Sequence, residues 1–96
     1  MLTGKQKRFL RAEANQLKPI FQVGKVGVNE NMTKQIHEAL EKRELIKVNI
    51  LQNCEVDKNI VAEQLAEGTG AEIVQIIGNI IVLYSESQEN KQIQLP

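Results

Sequence analysis

Histidine and cysteine, the side chains that most often serve as nucleophiles, general bases or metal ligands, occur once each in this sequence. His37 falls inside a predicted helix with no serine or cysteine partner suggested by the sequence, which indicates a surface histidine. Cys54 has Glu55 and Asp57 nearby, and acidic neighbours disfavour the reactive thiolate. The chain also lacks a Walker loop, a dinucleotide glycine motif and a pair of carboxylates at a strand end. We therefore expect no catalytic residue, no metal site and no cofactor.

One short motif has a spacing that suits a definite chemistry, namely Gly24-Lys25-Val26-Gly27, called the GxxG loop below. It joins a predicted strand to a predicted helix. Its glycines allow positive φ and the close approach of another backbone. The following helix N-terminus offers N–H groups and a positive dipole end, and Lys25 adds a cation. The motif predicts a phosphate-binding loop, with an ordinary tight turn as the alternative.

Charge is distributed unevenly along the chain. Residues 1–48 contain ten basic and five acidic residues, whereas residues 49–96 contain two and seven, although the whole chain has a net charge of zero. Four of the basic residues belong to the predicted first helix: Lys5, Lys7, Arg8 and Arg11. This asymmetry favours a surface that faces a polyanion, with a solvated basic helix as the alternative. Because the chain has only three aromatic residues, contacts should go to phosphates rather than to stacked bases.

The spacing of apolar residues predicts three helices and four strands in the order α-β-α-β-α-β-β. The helices are expected over residues 3–17, 29–43 and 57–67, with Thr3, Asn29 and Asp57 as N-caps and Gly68 ending the third. The strands are expected over residues 20–23, 45–51, 73–77 and 80–84. Gly78-Asn79 indicates a tight hairpin between the last two.

This alternation predicts an α/β fold, a two-layer domain in which helices cover a mixed four-stranded sheet. We expect one domain over residues 1–85 and a flexible polar tail over residues 86–96, which has only two apolar side chains besides its proline. Removal of the tail should then leave folding nearly unchanged. No apolar run is long enough to span a membrane, and the N-terminus lacks a signal-peptide pattern, so we expect a cytoplasmic protein.

Several ordered motifs resemble a known family. They are Leu2–Arg8 with Leu10-Arg11, Pro19 through the GxxG loop, Glu44–Val48, Ile77–Asn79 and Val82–Tyr84. Together they cover about residues 2–85 and resemble the CRM domain, the chloroplast RNA splicing and ribosome maturation module. Within that family, the chain is most similar to the bacterial single-domain YhbY-type proteins.

The resemblance implies a fold similar to the C-terminal domain of translation initiation factor three. It also implies RNA binding through the GxxG loop and the adjacent basic surface. The candidate RNA-binding residues are Gly24, Lys25, Val26 and Gly27, together with Lys5, Lys7, Arg8 and Arg11. Bacterial members are associated with precursors of the large ribosomal subunit. Family members often carry a basic residue after the last strand, where this chain has Ser85, so we expect a smaller contribution from that strand end.

The sequence thus favours a non-enzymatic, monomeric RNA-binding protein that binds ribosomal RNA in a large-subunit precursor and assists ribosome assembly. Neither a membrane nor a small-molecule substrate is expected as a partner. The alternative is a protein-interaction adaptor that uses the exposed sheet face or the acidic C-terminal half, and a small enzyme is a distant third. Salt-sensitive RNA binding distinguishes the first interpretation from the second.

Overall fold

Three helices and four strands form in the predicted order, and the computed structural model describes all residues 1–96. The helices are α1 (Gly4–Ala14), α2 (Glu30–Arg43) and α3 (Lys58–Thr69). The strands are β1 (Phe21–Val23), β2 (Leu45–Ile50), β3 (Glu72–Ile77) and β4 (Ile80–Tyr84). The predicted tight hairpin is confirmed, since β3 and β4 pair antiparallel with Ile77 opposite Ile80.

Each helix begins at the side chain that the sequence predicts as its N-cap. Thr3 and Gln6 form a capping box, in which the Thr3 hydroxyl accepts from the Gln6 N–H at 3.1 Å and the Gln6 side chain accepts in return. The Asn29 side chain accepts from the Met32 N–H at 2.8 Å, and Asp57 caps α3 in the same manner. Such caps stabilise a helix by about 1 kcal/mol each, because they satisfy N–H groups that have no partner within the helix.

The second helix ends at Arg43 as predicted, whereas the ends of the first and third helices differ from the predicted ones. α1 stops at Ala14 and continues as a tighter turn, in which the Leu17 N–H donates to the Ala14 carbonyl at 2.9 Å. Gly68 does not end α3, because Gly70, with φ +77°, performs that role. Gly68 lies inside the helix, where a β-carbon would come within 2.7 Å of the Thr33 methyl group. The glycine therefore permits close packing of α3 against α2.

The sheet is mixed and four-stranded, as predicted, with the strand order β1-β2-β4-β3. β1 and β2 are parallel, whereas β4 runs antiparallel to both of its neighbours. The strands β1, β2 and β3 consequently all finish at one end of the sheet, called the upper end below. The GxxG loop follows β1 at this end, and the Gly78-Asn79 hairpin lies there too.

The helices lie on both faces of the sheet, so the predicted two-layer arrangement is wrong. On one face, α2 and α3 bury Ile46 and Leu83 in the larger hydrophobic cluster. On the other face, α1 packs against Leu45, Val82 and Tyr84 in a second cluster. Since adjacent residues of a strand point to opposite faces, the lower part of the two central strands is buried on both sides. The domain therefore has three layers, with α1 alone on one of them.

The last residues pack against the domain, which corrects the expectation of a flexible tail. Residues 86–96 form no helix or strand, but Ser87 is only 3% exposed. The fully buried Glu44 carboxylate accepts from the backbone N–H groups of Ser87, Gln92 and Ile93, at 2.8, 2.5 and 2.7 Å. A buried carboxylate needs such donors. The polar composition of the tail could not reveal that these donors would come from its own backbone.

A second carboxylate holds the same segment. Glu41 accepts from the Ser87 hydroxyl at 2.7 Å, with weaker bonds from the next two backbone N–H groups. The Ser87 hydrogen bond is the main reason that the pKa of Glu41 lies below its usual range. Burial alone would raise the pKa of Glu44, but the hydrogen bonds from the tail outweigh it and the net pKa is lowered. The tail thus binds to the ionised forms of both side chains.

We predict that the tail contributes stability that depends on pH. Truncation after Glu86, or Glu44→Ala, should lower the free energy of unfolding at pH 7 by roughly 2–3 kcal/mol, because hydrogen bonds to a charged acceptor are lost. Since the folded-state pKa values of Glu41 and Glu44 are depressed, this stability is present above the unfolded pKa of about 4.3 and is lost as the pH falls through the folded values. Urea unfolding of each variant from pH 7 to pH 3 measures both effects.

Glu38 provides the matched control for this experiment, because it is an exposed glutamate of α2 without a salt bridge. Glu38→Ala should change the free energy of unfolding little at any pH. A truncated chain that is as stable as the full chain at pH 7 would show that the tail contributes nothing to folding.

Candidate nucleic-acid interface

The GxxG loop is a tight turn at the upper end of the sheet. The Gly27 N–H donates to the Gly24 carbonyl at 3.0 Å, which closes the turn. Lys25 and Val26 occupy its tip, and Val26 is 82% exposed. An apolar side chain presented to solvent beside an exposed lysine gives the tip one contact surface for a charged group and one for an apolar group.

The two glycines play different parts. Gly27 has φ +74°, and a β-carbon there would lie 3.2 Å from a methyl group of Val56, so both conformation and space favour glycine. Gly24 has no positive φ, and a β-carbon there would meet Leu51 only at 3.8 Å. Of the two glycines, only Gly27 therefore adopts the positive φ that glycine allows. Gly24 instead leaves open backbone at the exit of β1.

A second loop, residues 51–56 after β2, holds the GxxG loop in place. The Leu51 N–H donates to the Val23 carbonyl at 2.9 Å, and Val56 packs beneath Gly27. In turn, the Ile50 N–H donates to the Asn79 carbonyl at 2.7 Å, which ties the hairpin to the same end of the sheet. The GxxG loop is thus mounted on a connected set of turns rather than on one strand.

The helix that follows the loop attracts anions less than its position suggests. Its N-cap residue, Asn29, already occupies the Met32 N–H. Glu30, an exposed acid in the first turn, places a negative charge beside the helix dipole. Because carboxylates at a helix N-terminus offset its partial positive charge, attraction for a phosphate here depends mainly on Lys25 and on other cations.

The four basic residues of α1 lie on a different part of the molecule from the loop. α1 covers the lower part of β2, β3 and β4 on the face opposite to α2 and α3, whereas the loop leaves the edge strand β1 at the upper end. Lys5 and Arg8 are exposed, while Lys7 and Arg11 are half-buried along the sheet. The structure therefore does not bring loop and helix into contact, but it leaves sheet surface between them.

The predicted binding cations have no acidic partners. The protein has two salt bridges, one between the N-terminal amine and Glu72 at 3.3 Å and one between Lys91 and Glu86 at 2.9 Å. None of the cations of α1 or of the GxxG loop takes part in either bridge. They are consequently available to an anionic ligand without the loss of an existing ion pair.

Lys47 is a further cation of the candidate RNA surface, and the sequence motifs did not predict it. It lies on β2, half-buried, and its ammonium group donates to the Leu17 carbonyl at 3.0 Å. It lines a groove together with Arg11 between α1 and the sheet. The only feature of the sequence that could have identified Lys47 is its position on β2, which faces away from the larger hydrophobic cluster.

His37 and Cys54, for which the sequence predicts no catalytic role, lie on different elements. His37 is exposed on α2, and the Cys54 thiol donates to the Val56 carbonyl at 3.4 Å within the loop that supports Gly27. The structure contains no group of three or more histidine, cysteine or acidic residues that could hold a metal ion. None of its helices combines the length and the apolar character needed to cross a membrane.

Comparison with known proteins shows which family this chain resembles. Residues 2–85 match the family model described as the CRS1 / YhbY (CRM) domain. The "Probable RNA-binding protein YqeI" of Bacillus subtilis is 72% identical over 96 residues, which is the full length of both chains. An "RNA-binding protein" of Haemophilus influenzae is 40% identical over 95 residues, covering 99% of this chain and 95% of the relative.

The fold has also been seen in a solved structure. The solution structure of the hypothetical protein SAV1595 from Staphylococcus aureus is 61% identical in sequence and superposes with a TM-score of 0.83 over the whole of both chains. The family predicted from the short motifs is thereby confirmed by sequence and by structure. The chain belongs to the CRS1/YhbY (CRM) family.

Proposed function

We propose that this protein binds RNA through the GxxG loop and the basic side chains of α1, and that the RNA is ribosomal RNA in a precursor of the large subunit. In this role it assists ribosome assembly in the cytoplasm, as a monomer and without catalysing a reaction. The family is non-catalytic, and its close relatives carry names that describe RNA binding.

The observation that carries the proposal is the unpaired state of the basic surface. Eleven of the twelve lysine and arginine side chains form no salt bridge, and Lys91, the exception, belongs to the tail. When unpaired surface cations contact phosphates, they release the counterions condensed on the nucleic acid, and this release is the main source of sequence-independent affinity. Lys25 at the loop tip and the exposed Lys5 and Arg8 on α1 fit this role.

The aromatic side chains support phosphate contacts over base stacking. Phe9 and Tyr84 pack in the hydrophobic cluster beneath α1, and Phe21 packs against the larger cluster. Tyr84 is buried, and Phe9 and Phe21 are half-buried against these clusters, so little aromatic surface is left for stacking on unpaired bases. Recognition should therefore depend on the shape and charge of the RNA more than on base sequence.

The identity of the RNA rests on the family resemblance and needs a direct experiment. Ultraviolet crosslinking of the protein in growing cells, followed by sequencing of the bound RNA, should enrich large-subunit ribosomal RNA over small-subunit RNA. Co-purification of proteins that survives nuclease treatment, with no enrichment of ribosomal RNA, would favour the adaptor interpretation instead.

The first prediction from the proposed function is that the affinity for RNA depends on salt concentration. With three to five phosphate contacts, each adding 0.7 to 0.9 to the slope, log K should fall by roughly two to four units for each tenfold rise in salt concentration. Fluorescence anisotropy with a labelled large-subunit RNA fragment measures the slope between 50 and 500 mM KCl. An affinity that does not change with salt would rule out a phosphate-based interface.

The second prediction concerns the charge at the loop tip. Because Lys25 is exposed, Lys25→Ala should weaken binding by about 1 kcal/mol, or roughly fivefold, and lower the salt slope by about one. Lys42→Ala removes the same charge at the opposite end of α2 and is the matched control. Equal effects of the two substitutions would identify the loop as a plain turn.

The third prediction separates charge from shape at Gly24. A side chain fits there in ordinary contact with Leu51, so Gly24→Asn and Gly24→Asp should both fold. They have nearly the same shape, and only aspartate adds a negative charge next to the expected phosphate. Gly24→Asp should therefore bind RNA at least threefold more weakly than Gly24→Asn in the same anisotropy assay, an electrostatic difference that rising salt should reduce. Identical affinities would place the phosphate elsewhere.

A further inference from the structure

One row of the sheet on the α1 face, called the open row below, is only partly covered. α1 packs over the rows that contain Leu45, Val82 and Tyr84. The strand register aligns the row above them, across all four strands, from β1 at one edge to β3 at the other. Its members are Gln22, Asn49, Ile80 and Ile77. Gln22 is exposed and Ile77 is 57% exposed, so this row faces solvent at both edges of the sheet.

A groove between α1 and this row adds depth and charge. Its volume is about 500 Å³, and Arg11 and Asn15 form its helix side while Lys47, Gln75 and Ile77 line the sheet side. Both ionisable side chains that line it are cations, and no carboxylate does so. A groove with two positive charges, amide groups and an aliphatic floor complements an anionic chain that also carries apolar surface.

The open row connects the two parts of the proposed RNA surface. Gln22 lies two residues before Gly24, so one end of the row adjoins the GxxG loop. The other end reaches the groove under Arg11. Four strands at a spacing of about 4.8 Å span about 14 Å, which about four stacked nucleotides cover at the duplex rise of about 3.4 Å and an extended strand covers with fewer.

We propose that the open row and the α1 groove, together called the sheet path, bind three to four nucleotides of single-stranded RNA that continues from the GxxG loop to Arg11 and Lys47. This inference rests on the proposed function. The exposed face of Ile77 favours a single strand, because unpaired bases and riboses can pack on an aliphatic side chain, whereas a duplex hides its bases within the stack. The amides of Gln22, Asn49 and Gln75 provide donors for phosphate or base oxygens.

Length-dependent binding tests the sheet path. The probes are oligouridylates of four and eight nucleotides, because the shorter one cannot cover the loop and the row together and the longer one can. The double variant Gln22→Glu/Gln75→Glu adds two negative charges through side chains that make no hydrogen bond within the protein. It should weaken binding of the 8-mer by fivefold or more at 50 mM salt, and weaken binding of the 4-mer less, because the 4-mer can still occupy the loop.

Two controls make the result specific. Gln35→Glu introduces the same change on exposed α2, beyond the opposite face of the sheet, and should leave both affinities unchanged. A thermal melt of each variant verifies folding. In the unmodified protein, the amide signals of Gln22, Asn49 and Ile77 should shift together with those of Lys25 and Val26 on addition of the 8-mer in NMR titrations, which tests the proposal without any substitution.

The outcomes are distinct. If the double variant binds the 8-mer like the wild type and the amide signals of Gln22, Asn49 and Ile77 do not move, while Lys25→Ala still weakens binding, the sheet path is wrong and the proposed function stands. If the unmodified protein binds neither oligonucleotide nor ribosomal RNA, the proposed function itself fails. Tighter binding of an eight-base-pair duplex with the same shifts would overturn the single-strand assignment. Loss of a nuclease-resistant protein partner in the double variant, with RNA affinity unchanged, would make the row a protein interface and overturn the proposal.

Discussion

β4 is apolar throughout and must be buried on both faces, and this constraint determines the rest of the architecture. It places apolar side chains alternately on the two sides, as in the neighbouring pair Val82 with Leu83, and the start of β2 does the same with Leu45 and Ile46. Two helices cover one face and only α1 is left for the other. With 11 residues, α1 is about 16 Å long and about 10 Å wide, whereas a strand of six residues such as β2 is about 20 Å long, so a single helix cannot cover the whole face. The uncovered sheet surface beside α1 is a direct consequence.

Glu44 stabilises the junction between α2 and β2. The chain passes from α2 into β2 with no intervening loop, through a residue with φ +66°, a position that usually favours glycine. The left-handed conformation costs about 1 kcal/mol for a residue with a side chain. The Glu44 carboxylate offsets this cost, because it binds three backbone N–H groups of the tail, while its carbonyl accepts from the Ser85 N–H at 2.9 Å. The tail therefore closes the lower end of the sheet, away from the GxxG loop.

Local signals in the sequence predicted the helices and strands. How these elements pack depends on contacts between distant parts of the chain, which such signals do not show. Thr3, Asn29 and Asp57 predicted the helix starts because capping involves neighbours within three residues. The layering was mispredicted, although the uninterrupted apolar run of β4 is typical of a strand buried on both faces. The docking of the tail depends on which of twelve acidic residues becomes buried, and the local sequence contains no such information.

The candidate site was predictable to a similar degree. The motif located the loop and its cation, because glycine spacing and charge are local properties. It could not distinguish Gly27, which needs a positive φ, from Gly24, because the difference comes from Val56 and from the path of the chain into α2. Lys47 could be assigned to the candidate RNA surface only from the strand register, which shows that it lies on the same face of the sheet as Arg11.

A protein of zero net charge can still attract a polyanion, because charge acts locally in salt solution. The screening length at physiological ionic strength is about 8 Å. The molecule measures 37 × 26 × 22 Å, so an RNA strand near the GxxG loop or α1 hardly senses acids at the far side. Several acids are in addition engaged with N–H donors of the chain itself, as Glu41 and Glu44 are with the tail. The local arrangement of cations and carboxylates, rather than the net charge, therefore sets the attraction for RNA.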